Sequence, residues 1–147
     1  MKTVYDKAVR DELIARIRMV NENSPSLWGK MTVFQMVKHC VLWEDMVLHG
    51  KKYRRVFAGW LFGKIALKSI LKDGAPLRRS TPTIPELVVT GDGSVSLQKE
   101  KWIGLIEEHG RLFNSEFVHP FFGRMTQEET GVLAYKHSDH HLRQFGC

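Results

Sequence analysis

The chain has 147 residues, 43% of them hydrophobic and 26% charged, an ordinary globular mix long enough for one domain, 1–147, with its own core. Its two cysteines, Cys40 and Cys147, exclude a disulfide framework, and the charged start MKTVYDKAVRDE lacks an apolar signal region, so a cytoplasmic protein is expected. The net charge of +6 is concentrated from Lys51 to Arg79, where Asp73 is the one acid; this run reads first as a solvated face and second as a surface for an anionic partner.

Prolines at 25, 76, 82, 85 and 120 fall outside every segment with helical periodicity, as expected where helices stop before them. Residues 3–21 carry Tyr5, Val9, Leu13, Ile17 and Val20 on one side, an amphipathic first helix. After the loop NENSPS, the segment Thr32-Val33-Phe34-Gln35 has the capping-box pattern that opens a helix. From Val33 to Leu48 that second helix is apolar almost all round, so it is expected to be the most buried element. Thr32, Gln35, Met36, His39, Trp43 and Met46 share one face of it, and Cys40 points about 100° away from His39.

A basic connection then leads to a short helix near 56–71, with apolar Phe57, Trp60, Leu61, Ile65 and Ile70 and with Lys64, Lys68 and Lys72 at intervals of four. It is too short and too charged to span a bilayer. Its expected role is to cover one end of the helical core, with a membrane-surface helix as the alternative. The stretch 77–94 is non-helical, with Leu87-Val88-Val89 as a possible extended run, and is expected at a pocket rim. A helix at about 96–115 places Trp102, Leu105, Ile106, His109 and Phe113 together, with His109 read as structural. The last helix follows a second capping box, Thr126-Gln127-Glu128-Glu129.

That last helix holds three histidines in five residues, YKHSDHH. Positions i and i+4 point nearly the same way on a helix, so His137 and His141 project together into the apolar stripe of Leu133, Ala134 and Phe145, with His140 at its margin. Two imidazoles on an inward face need partners. A divalent metal suits neutral imidazole, and His39 of the second helix is the expected third ligand. Three ligands leave positions open, the pattern of a catalytic rather than a structural site. Zinc and nickel head the metals that suit such a set, with cobalt, iron and copper behind them.

Other chemistries lack their residues. HExxH needs a glutamate where Ser138 stands, and the two Glu-x-x-His motifs that a di-iron site needs do not occur. No serine or cysteine triad signature, phosphate loop or helix-turn-helix spacing is present. The predicted fold is all-α: a four-helix bundle with an extra short helix between helices 2 and 3.

The blocks WGKMTVFQMVKH (28–39), PTIPEL (82–87) and FFGRMTQEETGVLAYKHSDHHLRQFG (121–146) resemble the DinB-like (YfiT-like) superfamily of metal-dependent enzymes. The resemblance extends over nearly the whole chain and is closest to a branch of small bacterial domains, most without an assigned activity. It implies a four-helix bundle with a three-histidine metal site, its ligands His39, His137 and His141, the same set chosen from the helix faces. Family members with known activity are transferases or isomerases that use low-molecular-weight thiols such as bacillithiol, mycothiol or glutathione. The resemblance therefore implies a metal-dependent enzyme, with thiol S-transfer to a small electrophile as its first form and hydrolase-like chemistry as another. A non-enzymatic metal-binding or stress-response module is the alternative.

The expected partners are a small-molecule substrate and a thiol cofactor, whose carboxylates the basic run 51–79 would hold. A homodimer is expected through a patch at Tyr135 and Leu142. Nucleic acid and membrane are not expected partners.

Overall fold

Local signals set the helix ends in the computed structural model, which describes residues 1–147. Helix α1 runs Lys7–Met19, α2 Val33–His49, α3 Phe57–Ile70, α4 Val95–His109 and α5 Gln127–Gln144. Both capping boxes form. The Thr32 hydroxyl accepts from the Gln35 amide at 3.2 Å while Gln35 Oε1 accepts from the Thr32 amide at 3.0 Å. Thr126 and Glu129 exchange the same pair of bonds at 3.1 and 2.8 Å. The first helix begins later than its periodicity suggests because the Asp6 carboxylate caps it, accepting from the Ala8 amide at 2.9 Å. The fourth ends at His109 rather than near 115, which leaves Phe113 outside it and 36% exposed.

The protein is mostly helical, with little strand. The exceptions to helix and loop are a 3₁₀ turn at Pro85–Leu87 and a two-residue antiparallel ladder of β1 (Val118–His119) with β2 (Gly123–Arg124). Leu87 belongs to the 3₁₀ turn, so the expected extended run does not form. Helix α1 packs on α4 and α5, and α2 packs on the same two, so these four pairings close a ring. Leu13, Ile17, Met36, Met46, Trp102, Ile106 and Leu142 fill its interior. No helix is long and apolar enough to cross a membrane.

Three further expectations change. Helix α5 is buried as extensively as α2, because polar side chains on it are buried with partners. The Asp139 carboxylate accepts from Arg16 of α1 and from Arg143, each at 2.8 Å. The Lys136 ammonium donates to the carbonyls of Ile70, Asp73 and Ala75, each at 2.7 Å, closing the C-terminal end of α3.

Second, α3 does not cover the core with its large apolar residues. Its buried members are Gly59, Gly63 and Leu67, while Phe57, Trp60, Leu61, Phe62 and Ile65 are exposed. Glycine is required at the contact: a Cβ at Gly59 would stand 2.5 Å from the Phe121 carbonyl oxygen, and one at Gly63 would collide with the same atom.

Third, the apolar patch expected at Tyr135 and Leu142 does not exist as a surface. Leu142 is fully buried, and Tyr135 is half-buried under the Lys2 ammonium.

Candidate metal centre

The second and last helices carry His39, His137 and His141 to one point, and the ligand-competent nitrogens of the three lie within 4.8 Å of one another. Ring centroids stand 5.2 Å apart for His39 and His137, and 4.8 Å for each of the other two pairs. His39 and His141 are buried, while His137 keeps partial exposure.

Hydrogen bonds fix the protons on two of the rings. His39 Nδ1 lies 2.9 Å from the Leu87 carbonyl oxygen, which can only accept, so Nδ1 carries the proton and Nε2 a lone pair. Gln144 donates through Nε2 to the Trp28 carbonyl at 2.9 Å, which turns its Oε1 toward His141 Nδ1, also at 2.9 Å. His141 Nδ1 is therefore the donor, and its Nε2 is free to ligate. Oriented imidazoles of this kind are the usual support of a metal ligand.

His137 lacks such a partner. Its Nε2 lies 3.1 Å from His39 Nε2, its Nδ1 is buried without a hydrogen bond, and its ring stacks on Trp43 at 4.5 Å. With the proton on Nε2, Nδ1 is an unsatisfied buried acceptor. With the proton on Nδ1, a buried donor is unsatisfied and two lone pairs face each other at 3.1 Å. Either arrangement leaves a cost of about 1–3 kcal/mol. A cation between the rings would turn the facing lone pairs from repulsive to attractive, so the residues present fit a metal ion.

Charge agrees. Burial holds all three imidazoles below the usual histidine range: His39 lowered, His137 well below, and His141 down to about 3, with mutual repulsion among the rings adding to the effect. They are neutral lone-pair donors at pH 7. No carboxylate joins the cluster, because Asp139 turns to Arg16 and Arg143.

The other histidines are placed elsewhere. His109 Nδ1 meets the Glu44 carboxylate at 2.6 Å in a fully buried pair, consistent with a structural role. His49 bridges Asp45 and Glu108 on the surface. His119 Nδ1 accepts from the amides of Phe121 and Phe122 at 3.1 and 3.2 Å, closing the turn between β1 and β2. His140 is half-buried, edge-on to both Trp28 and His141. Cys40 lies outside the cluster, with its thiol against the Met36 sulfur at 3.9 Å and pushed up by burial.

The loop 77–94 does reach the site, through the Leu87 carbonyl. Of the basic run, Arg79 places its guanidinium 4.2 Å above the Trp28 ring, which itself meets His140 edge-on. The run is not one docking surface: Lys51 pairs with Asp45, and Lys64 bonds the Arg124 carbonyl. Gln144 and the Leu87 carbonyl escaped the sequence reading. Gln144, three residues after His141 on the same helix, carried a usable signal; a backbone carbonyl carries none.

A family model described as the DinB superfamily matches residues 23–145, a span that includes all three histidines of the cluster. No curated protein and no solved structure matches the chain.

Proposed function

The chain belongs to the DinB superfamily, and from that premise we propose that it is a metal-dependent enzyme that transfers a low-molecular-weight thiol to a small electrophile. In this reading α1, α2, α4 and α5 form a four-helix bundle whose interior holds one divalent ion, zinc or nickel foremost, on His39, His137 and His141. The observation that carries the proposal is the convergence of three neutral imidazoles, two of them with Nε2 left free by a fixed proton on Nδ1.

A bound divalent ion would supply Lewis acidity that favours the deprotonated form of a thiol or water. The remaining roles belong to the chain. The Leu87 carbonyl and Gln144 hold the ring protons away from the centre. Trp43 packs flat against His137 and keeps water from that side. His137 is the least enclosed of the three rings, so a small molecule would approach the centre from its side. Arg79, beside His140 and Trp28, offers a guanidinium to a carboxylate of the incoming thiol or acceptor. Because the Cys40 thiol points elsewhere and is held protonated by burial, the nucleophile would come from a cofactor rather than from the chain.

The test is turnover of a chloro-nitroaromatic with bacillithiol, mycothiol, glutathione or coenzyme A in protein loaded with zinc or nickel. A metal-dependent rate with one thiol, lost in His137→Ala, is the expected result. No rate above background with any thiol in metallated protein would instead support a non-enzymatic metal-binding module, a reading favoured by the deep burial of His39 and His141 at 3% and 8% exposure.

A further inference from the structure

Helix α3 is held by its smallest residues and turns its largest ones outward. Gly59, Gly63 and Leu67, spaced by four, form the buried stripe, and the two glycines rest on the backbone at Phe121. Phe57, Trp60 and Ile65 are 75%, 69% and 68% exposed, with Leu61 and Phe62 about half exposed beside them. At about 100° per residue, Leu61 and Ile65 fall opposite the glycine stripe, Phe62 lies on one flank, and Lys64 lies on the other with Lys68 between it and Leu61. A helix that serves only to cover a core turns its large apolar residues inward; this one does the reverse. Its outward aspect is also locked, because the buried Lys136 ammonium ties the carbonyls of Ile70, Asp73 and Ala75 to α5.

Charge selects the occupant of this face. Between Lys51 and Lys72 the chain carries no acidic residue, and Lys52, Arg54, Lys68 and Lys72 are exposed. A second copy seated here by two-fold symmetry would set the same positive segment against itself. A nucleic acid would meet the lysines but give Leu61, Phe62 and Ile65 nothing apolar to enter. An anionic bilayer satisfies both demands. With 14 residues, the helix is about 21 Å long, short of the roughly 30 Å hydrocarbon core, so it would lie along the surface.

We propose that α3 is a peripheral membrane-binding helix that lies in the plane of an anionic lipid bilayer. Phe57, Trp60, Leu61, Phe62 and Ile65 enter the boundary between headgroups and acyl chains. Lys68 and Lys72 reach the lipid phosphates over their own alkyl stems.

The experiment mixes the full chain with vesicles of phosphatidylcholine alone or of equimolar phosphatidylcholine and phosphatidylglycerol, and reads co-sedimentation and tryptophan emission. Binding to the anionic vesicles should be at least about tenfold tighter and should weaken at high salt. A blue shift in emission should accompany it and disappear in Trp60→Phe. The double variant Phe62→Asp/Ile65→Asp should lose vesicle binding while keeping the parent's circular dichroism, melting temperature and metal uptake. Absence of binding to anionic vesicles would overturn the proposal, as would binding undiminished in the double variant. A solution dimer that the double variant dissociates would overturn it too, by giving the face to a second copy. Metal uptake is read separately, so failure of the membrane proposal leaves the three-histidine site untouched.

Discussion

At the scale of single residues, the site depends on where protons sit. His39 and His141 each donate a ring proton to a fixed acceptor, so removing an acceptor should weaken metal binding without removing a ligand. Gln144→Ala is expected to lower affinity about 10–100-fold. His39→Ala, His137→Ala or His141→Ala should each lower it further, with His49→Ala and His119→Ala close to the parent in a metal-competition titration. Equal occupancy in all of these variants would remove the triad. The same scale fixes a pH dependence. Burial, aided by the Arg55 guanidinium, holds His119 down to about 4. In the unfolded chain that imidazole takes a proton near 6.5, so acid favours the unfolded state. Stability from His119 is complete above pH 6.5 and is lost as pH falls toward 4, amounting to about 2 kcal/mol by pH 5. Urea melts of metal-free protein at pH 7 and pH 5 should show this loss, and His119→Asn should show a smaller one. An identical loss in that variant would refute the assignment.

At the scale of elements, α5 is tied to every neighbour by a different polar side chain. Lys136 holds α3, His137 and His141 face α2, Asp139 grips α1, and Gln144 bonds the loop at Trp28. Movement of α5 would thus disturb the site and the docking of α3 together. The docking itself hangs on glycine. Gly63→Ala puts a Cβ into the Phe121 carbonyl oxygen, and backbone cannot yield as a flexible side chain can. A loss of about 1–3 kcal/mol is expected, with faster proteolysis within 51–75 as the local signature. Unchanged melting and unchanged cleavage would show that the contact is not close-packed in solution.

For the whole molecule, the ion should act as a ligand of the folded state alone, since the three histidines converge only when α2 and α5 pack. At a free metal concentration one hundred times the dissociation constant, the stabilisation is about 2.7 kcal/mol. For a chain of this size that corresponds to a rise in Tm of about 5–10 °C. Differential scanning fluorimetry with zinc or nickel should record the rise in the parent and not in His137→Ala. A parent Tm insensitive to both metals would count against a cluster that ligates either.

The sequence by itself determined the helical class, the starts of α2 and α5, and the shared face of His137 and His141. These follow from local rules: a capping box acts within four residues, and residues at i and i+4 share a face whatever the helix packs against. What lay beyond reach depends on the approach of segments far apart in the chain. The Leu87 carbonyl meets a ring 48 positions earlier, and the three carbonyls that hold Lys136 come from the end of another helix. Helix α3 is the clearest case. Its pattern shows apolar residues and glycines on different sides, but pattern alone assigns the larger residues to the core because burial of apolar area usually dominates. Only the tertiary structure decides otherwise, since close backbone approach at Phe121 admits a glycine stripe and leaves Trp60 and Ile65 outside.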